Sequence, residues 1–241
     1  MQSQAIMNHS ISANVAAVRS RIQAAKANSD RTSGIVQLIT VSKTRSANEV
    51  RSAWGCGLEN FGESYLQEAL QKQQTLSDLP IIWHFIGPIQ ANKTAGIAAH
   101  FDWAHSVDRF KIAQRLNDQR PDDLPPLNIC LQVNISAEPT KSGVSLDKLA
   151  QLATQVSTLP RLKLRGLMCI PAASRDPQAL SDDFARMKQV LEQLNRGEFN
   201  LDTLSMGMSN DLECAIRAGA TMVRIGTAIF GPRNYSSTTS P

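Results

Sequence analysis

A lysine that directly follows an apolar run is the first residue of this sequence whose position suggests chemistry. The run VQLITVS, from Val36 to Ser42, has the β-branched and apolar residues of a buried strand, and Lys43 comes next. Most lysines at a strand end are simply hydrated. A lysine that is partly withdrawn from water, however, loses proton affinity and becomes a nucleophile. Lys43 is therefore a candidate for a reactive amine at the mouth of an active site.

Glycine and hydroxyl residues near the end of the chain suggest an anion site that such an amine could serve. LSMGMSND places Gly207 and Ser209 just before a predicted helix, and RIGTAIFG places Gly226 and Thr227 at the end of the last predicted strand. Helix N-termini and neighbouring hydroxyls bind anions such as phosphate. Each position alone is more readily explained as a turn glycine or a capping serine. Two such signals on adjacent loops favour a phosphate site.

A phosphorylated aldehyde would use both features. The amine of Lys43 would condense with the aldehyde to a Schiff base while the loops hold the phosphate. Pyridoxal 5′-phosphate (PLP) carries both groups, and an Asp or Arg commonly faces its ring nitrogen. Arg224 is close to the predicted phosphate loop. A cofactor-free Schiff-base aldolase acting on a phosphosugar would use the same lysine and phosphate site, and it remains an alternative.

Other kinds of site find little support in the sequence. The residues that follow the predicted strands are mostly small, hydroxylated or amide residues, so no metal site is predicted. The four cysteines are far apart without a CxxC pair, which favours a reducing compartment over a disulfide framework. Glu63 and Glu68 are expected to cap or solvate a helix rather than act as general bases. His105 is expected to be structural or exposed.

Composition and charge point to an ordinary globular protein. The chain has 241 residues, of which 42% are hydrophobic, and a formal net charge of +4. Its lysines and arginines are scattered, so no nucleic-acid surface is predicted. The start of the chain lacks the pattern of a secretory signal, and no apolar run reaches the roughly 18 residues that span a membrane. We therefore expect a cytoplasmic protein that does not bind membranes.

The elements that must position these residues alternate along the chain. Strand-like and helix-like segments alternate eight times, or nearly so, and several strands are apolar on both faces, as parallel strands covered by helices are. This pattern predicts an α/β fold, a single (β/α)8 TIM barrel, with a doubly wound open sheet as the alternative. In a barrel, the C-terminal ends of the strands form the active site.

An extra helix is predicted to precede the barrel. Apolar residues recur there at helical spacing, which predicts an amphipathic helix over about 8–28: Ile11, Val15, Val18 and Ile22. Residues 1–234 are assigned to one barrel domain. The polar tail 235–241 is predicted to be disordered.

Seven motifs resemble the pyridoxal phosphate homeostasis protein family. They occur in order between about Val36 and Arg233: VSKTRS, FGESYLQEA, WHFIGPIQANK, NISAEPTKSGV, LRGLMCIPA, LSMGMSND and MVRIGTAIFG. This family is similar to the N-terminal barrel domain of alanine racemase and of bacterial-type ornithine decarboxylases, but it lacks their second, β-rich domain. The resemblance implies a TIM barrel that binds PLP. Because the second domain is the usual reason for dimers in the racemase relatives, it also implies a monomer.

The resemblance assigns roles to five residues. Lys43, in VSKT, would hold the cofactor as a Schiff base, the internal aldimine. Arg224, in MVRIG, would face the pyridine nitrogen. The phosphate would be held by Ser209 of GMS together with Gly226 and Thr227 of RIGT.

Four further positions are implied with less defined roles. His84 and Asn92, in HFIGPIQANK, are pocket or rim positions that would contact the cofactor. Lys141, in TKSG, matches a family lysine on the loop after the fifth strand and would be a second ligand contact. Many members have FGEN where this chain has FGES, so Ser64 replaces an asparagine near the cofactor.

The implied function is to hold PLP reversibly and to act in vitamin B6 homeostasis as a carrier or regulator, without robust catalysis. An arginine at the ring nitrogen disfavours its protonation, which weakens the ring as an electron sink. A racemase also needs a second acid–base group, and neither Tyr65 nor Tyr235 is well placed to serve as one. A PLP-dependent racemase or lyase remains the alternative. The expected partners are PLP, other B6 vitamers and PLP-dependent apoenzymes.

Overall fold

Eight parallel strands form a closed barrel in which each strand pairs with the next and the last pairs with the first. This is a computed structural model, and it describes residues 2–28, 34–138, 141–172, 176–197 and 199–232. The strands are β1 (Gln37–Val41), β2 (Asn60–Glu63), β3 (Ile82–Phe85), β4 (Trp103–Val107), β5 (Leu127–Val133), β6 (Leu162–Cys169), β7 (Thr203–Ser205) and β8 (Met222–Ile225). The predicted barrel is confirmed, and the closure of the sheet excludes the open doubly wound alternative.

Helices cover the outside of the barrel and follow the strands in alternation. In the described part of the chain they are α1 (Gln2–Ala27), α2 (Ala47–Trp54), α3 (Leu66–Thr75), α4 (Thr94–His100), α5 (Phe110–Asp118), α6 (Leu146–Ser157), α7 (Pro177–Asn195), α8 (Leu212–Arg217) and α9 (Thr227–Phe230). A short 3₁₀ helix (Ala91–Lys93) precedes α4. None of these helices is long and apolar enough to cross a bilayer.

The strand period of two divides the core into an outer and an inner part. Alternate strand residues pack outward against the helices, as Val223 and Phe85 do, and form the larger hydrophobic cluster. Their neighbours face the barrel axis, where a small apolar layer lies: Ile39, Trp103, Cys130, Met168 and Met222. Residues two positions further along the same strands must also face inward. Polar side chains that follow this layer therefore lie between it and the C-terminal end of the barrel.

The extra N-terminal helix is present and begins earlier than predicted. Its four predicted apolar residues, Ile11, Val15, Val18 and Ile22, are all buried, and the helix packs on α2, α8 and α9. The predicted domain end at residue 234 and the predicted disordered tail 235–241 lie outside the described residues.

Candidate functional site

A cavity of about 720 Å³ lies at the C-terminal ends of the strands. Its wall is built from segments that follow β1, β2, β3, β5, β6, β7 and β8, which is where a barrel forms its site. Six of the eight predicted cofactor-binding residues line it: Lys43, Ser64, Ser209, Arg224, Gly226 and Thr227. The strand ends thus bring together residues that are up to 184 positions apart in the chain (Lys43 to Thr227).

The other two predicted residues lie elsewhere. His84 is fully buried inside the barrel, two residues beyond Ile82 on β3, and it is not among the residues that line the cavity. Asn92 is exposed on the 3₁₀ helix before α4 and is also outside the lining. Lys141, the predicted second ligand contact, does line the cavity, and its Nζ lies 3.2 Å from Glu138 Oε2.

The charges around the cavity favour an anion. Four basic residues (Lys43, Arg45, Lys141 and Arg224) and one acidic residue, Asp211, belong to the lining. Asp211 Oδ1 accepts the N–H of Met208 at 2.5 Å, and burial raises the pKa of this carboxyl. A phosphorylated ligand would therefore meet a predominantly positive surface.

The loops after β7 and β8 approach each other closely at the predicted phosphate site. Ser209 Oγ accepts the N–H of Ala228, in the first turn of α9, at 3.4 Å. A Cβ on Gly226 would lie 3.0 Å from the carbonyl oxygen of Val41, so a side chain there would push the end of β8 away from β1. Gly207 has a left-handed φ of 94°, which turns the chain sharply after β7. These glycines allow the Ser209 hydroxyl and Thr227 to lie beside one another.

Helix α1 holds both of these loops from outside. Arg21 donates to the carbonyl oxygen of Ser209 at 2.9 Å and is itself fixed by Glu213 at 2.7 and 3.0 Å. Asn14 Nδ2 donates to the carbonyl oxygen of Ile229, in α9, at 2.9 Å. The predicted N-terminal helix therefore supports the two loops that carry Ser209 and Thr227.

Arg224 is buried and tightly bound at the floor of the cavity. Its Nη1 donates to the carbonyl oxygen and the hydroxyl of Ser205 at 2.6 and 2.8 Å, and its Nη2 donates to the carbonyl oxygen of Cys169 at 2.9 Å. Burial lowers the pKa of Arg224, yet a guanidinium remains charged in proteins. The site therefore presents a fixed cation that donates hydrogen bonds and accepts none.

Behind Arg224 a chain of neutral polar groups crosses the barrel interior, and we call Ser205, His105, His84 and Asn60 the His105 chain. Ser205 Oγ lies 2.9 Å from His105 Nδ1, His105 Nε2 lies 2.9 Å from His84 Nδ1, and His84 Nε2 lies 3.0 Å from Asn60 Oδ1. Burial lowers the pKa of His84 to about 3 and that of His105 well below its usual value. Both imidazoles are therefore neutral.

The positions of the protons in the His105 chain follow from the groups at its two ends, Arg224 beside Ser205 and the acceptor Asn60 Oδ1. Because Arg224 can only donate, Ser205 Oγ accepts from it and gives its own proton to His105 Nδ1. His105 Nε2–H then donates to His84 Nδ1, and His84 Nε2–H donates to Asn60 Oδ1. When the hydrogen bonds run in this direction, from Arg224 to Asn60, each donor along the chain has an acceptor. His105 is thus structural, as one of its two expected alternatives stated, and it is fully buried.

A second buried network lies beneath the turn that carries Lys43, and we call Ser42, Glu63, Glu68 and Lys72 the Lys72 cluster. Lys72 Nζ donates to the carbonyl oxygen of Ser42 at 2.6 Å, to Glu63 Oε1 at 2.7 Å and to Glu68 Oε1 at 2.6 Å. Ser42 Oγ donates to Glu63 Oε1 at 2.6 Å.

The expectation that Glu63 caps or solvates a helix is wrong. It ends β2 with no exposed surface, and burial raises the pKa of its carboxyl, although Lys72 and Ser42 offset part of that rise. Lys72, which the sequence reading did not single out, supplies the buried countercharge from α3. The spacing of Glu68 and Lys72, four residues apart on one helix, was the available signal.

No tyrosine is among the described residues that line the cavity. Tyr65 stands just before α3 with 55% of its surface exposed, and Tyr235 lies outside the described residues. Cys130 and Cys169 are buried, and burial raises the pKa of each thiol to about 12, so both remain protonated. The described residues contain no group of three or more His, Cys, Asp or Glu that could hold a metal ion.

The chain is similar to known proteins over most of its length. Residues 13–234 match the family described as "Alanine racemase, N-terminal domain". A relative from Pseudomonas aeruginosa, named pyridoxal phosphate homeostasis protein, is 56% identical over 95% of this chain and 99% of its own length. The protein of the same name from Escherichia coli is 48% identical over 94% of this chain and 98% of its own. The structure of PipY from Synechococcus elongatus with PLP bound is 35% identical, with a TM-score of 0.81 over 92% of this chain and 100% of that one.

Proposed function

This chain belongs to the pyridoxal phosphate homeostasis proteins, within the alanine racemase N-terminal domain family, and on that premise we propose that it binds PLP reversibly through Lys43 to maintain the cell's supply of this cofactor. The observation that carries the proposal is the single cavity wall shared by Lys43, Arg224 and Ser209. Two curated relatives bear the homeostasis name, and PipY has been solved with PLP bound.

The residues around the cavity fit such a ligand. When bound, PLP supplies an aldehyde that condenses with a primary amine, releasing water. Lys43 and Lys141 are the two amines in the lining, and Lys43 would be the one that condenses. Ser209, Gly226 and Thr227 would hold the phosphate among the basic residues of the wall. Arg224 would face the pyridine nitrogen, and Ser64 would stand beside the ring. Lys141 would make a further contact from the loop after β5.

Arg224 and the His105 chain favour a holding role over catalysis. The guanidinium already donates to Ser205 and Cys169, and the neutral histidines behind it offer no proton to the site. A fixed cation at the ring nitrogen disfavours its protonation, which would weaken stabilisation of a substrate carbanion. Racemisation also needs acid–base groups on two faces of the substrate, and Lys43 supplies only one.

Further parts of the proposal concern partners and assembly. PLP-dependent apoenzymes would receive the cofactor, and other B6 vitamers would compete for the cavity where they share the ring or the phosphate. The protein would act as a monomer with one PLP-binding domain over residues 1–234.

The test is to add PLP to the purified apoprotein and record the absorbance spectrum before and after borohydride. We expect a yellow band that borohydride abolishes in the parent and that is missing from Lys43→Ala. Lys111→Ala, which removes an exposed lysine on α5, is the control and should behave as the parent.

Two further results would favour the alternatives. Loss of optical activity of an added amino acid, at a rate that depends on Lys43, would point to a racemase or lyase. Cleavage of a phosphosugar by a protein that shows no yellow band would point to the cofactor-free aldolase.

A further inference from the structure

The Lys72 cluster holds the backbone on both sides of Lys43. On one side, the carbonyl oxygen of Ser42 accepts from Lys72 Nζ at 2.6 Å. On the other side, the N–H of Thr44 donates to Glu68 Oε1 at 2.6 Å, and the same oxygen accepts from Lys72. The two peptide groups that flank Lys43 are thus tied to one buried ammonium, directly or through a single carboxylate.

The ammonium of Lys72 makes all the hydrogen bonds that it can donate. An ammonium has three N–H donors, and all three have acceptors: Ser42, Glu63 and Glu68. The side chain is only 6% exposed, and the carboxylate of Glu63 opposite it has no exposed surface. Burying an ion pair for stability alone is inefficient, because desolvation offsets most of the attraction. The burial of this ion pair therefore indicates a role for Lys72 other than stabilising the fold.

The backbone that this cluster holds is strained. Thr44 has a left-handed φ of 65°, which a β-branched residue adopts only when its surroundings impose it. The hydrogen bond from the Thr44 N–H to Glu68 fixes this conformation. The two peptide groups that flank Lys43 fix the orientation of its Cα, and both are held by hydrogen bonds to the cluster, so the cluster also sets the direction in which the Lys43 side chain leaves the backbone.

We propose that Lys72 is a positioning residue that aims the Lys43 amine into the cavity. Lys72 is not among the described residues that line the cavity, so it would act through Ser42 and through Glu68. The inference rests on the proposed role of Lys43 in holding PLP. It adds that this role requires a second lysine, 29 positions further along the chain, that never meets the ligand.

The experiment compares covalent with non-covalent binding in the full chain. PLP reports the rate of covalent attachment, and pyridoxine 5′-phosphate, which has an alcohol in place of the aldehyde, reports binding alone. The variants are Lys72→Met, the double variant Glu63→Gln/Lys72→Met and Glu68→Ala, with Lys111→Met as the matched control. The double variant removes both buried charges and should keep the fold where Lys72→Met alone strands Glu63. Glu68 is partly exposed, so its removal is tolerated.

We expect attachment of PLP to slow by about 10- to 100-fold in Lys72→Met and in the double variant, because small misplacement of a reacting atom costs rates of that order. Attachment in Glu68→Ala should slow less. Affinity for pyridoxine 5′-phosphate should be unchanged in all of them. In the apoprotein, the Thr44 amide should exchange its hydrogen faster in each variant than in Lys111→Met.

Two results would overturn the inference. One is a normal attachment rate in the double variant and in Glu68→Ala. The other is a parallel loss of PLP attachment and pyridoxine 5′-phosphate binding, which is what a purely structural role for Lys72 would cause. A parent protein that never attaches PLP to Lys43 would instead refute the proposed function itself.

Discussion

The cavity rests on two buried polar networks that are built in opposite ways. The Lys72 cluster lies beneath Lys43 and is made of charged groups, whereas the His105 chain lies behind Arg224 and is made of neutral ones. The first must hold a strained turn, and charge-assisted hydrogen bonds are the strongest available for that purpose. The second supports a guanidinium that must keep its charge, and neutral acceptors orient it without neutralising it. The comparison indicates that charged groups hold the turn of Lys43, whereas neutral groups hold Arg224 and leave its charge intact.

The two networks should respond to acid with opposite signs. The buried neutral histidines have lowered pKa values in the folded state. Below pH 6.5 the unfolded chain therefore binds more protons than the folded chain, and the free energy of unfolding decreases as the pH falls. Glu63 has a raised pKa, so between its usual pKa of 4.5 and its higher folded value the folded chain holds the extra proton. The contribution of Glu63 to stability therefore falls as the pH rises through that window.

The largest expected effect is acid destabilisation through the His105 chain. From pH 7.5 to pH 5.0, His84 should cost about 2 kcal/mol of unfolding free energy, because burial lowers its pKa to about 3. His105, whose pKa burial also lowers well below its usual value, should add a further loss of the same sign. Urea unfolding of the apoprotein at the two pH values measures the loss. His105→Gln should lose clearly less between these pH values than the parent, and His100→Gln, at an exposed position, should lose as much. An equal loss in all three proteins would show that His105 is not held neutral.

A somewhat smaller effect is expected from Arg224, which binds the Ser205 end of the His105 chain. Arg224→Met leaves the buried carbonyl oxygens of Ser205 and Cys169 without their donor, which should cost about 3 kcal/mol at constant pH. Urea unfolding at pH 7.5 measures this cost, with the exposed Arg109→Met as the control that should change little. Arg224→Lys should recover only part of the loss, since an ammonium cannot reproduce the fork that reaches both strands. Full recovery by lysine would contradict the geometry described for Arg224.

The smallest effect concerns Glu63 and has the opposite sign. Glu63→Gln removes a carboxyl that is costly to ionise, so its unfolding free energy relative to the parent should increase as the pH rises from 5 to 8. The matched control is Glu192→Gln, which changes an exposed carboxyl of α7. A difference that shrinks with rising pH would mean that Lys72 overcompensates the burial of Glu63, and the contrast between the two networks would disappear.

Much of the fold could be predicted because its signals are local. Apolar runs with alternating helices give a parallel barrel, and the barrel determines that the residue after β1 and the residues after β7 and β8 meet. Lys43, Ser209 and Gly226 were therefore predictable from strand ends alone. Arg224 was predictable as a strand-end residue, and the inward-facing Met222, two residues earlier, explains why its side chain enters the barrel.

The two networks were harder to predict because their partners are distant in sequence. Glu63 looks like a solvated acid until Lys72 is known to reach it from α3. His84 was predicted as a pocket or rim position. In the structure it follows the inward-packed Ile82 by two positions and lies inside the barrel, and its bond to His105 depends on the register of β3 and β4. Local patterns predict where a side chain points, and only the assembled barrel shows which group it meets.

The most direct measurement is peptide mass mapping of the protein after PLP binding and borohydride reduction. We expect one equivalent of reduced cofactor, fixed on the peptide that contains Lys43, with its mass absent from Lys43→Ala. Label on Lys141 or Lys72 instead, with Lys43 unmodified, would contradict the assignment of Lys43 as the residue that holds the cofactor.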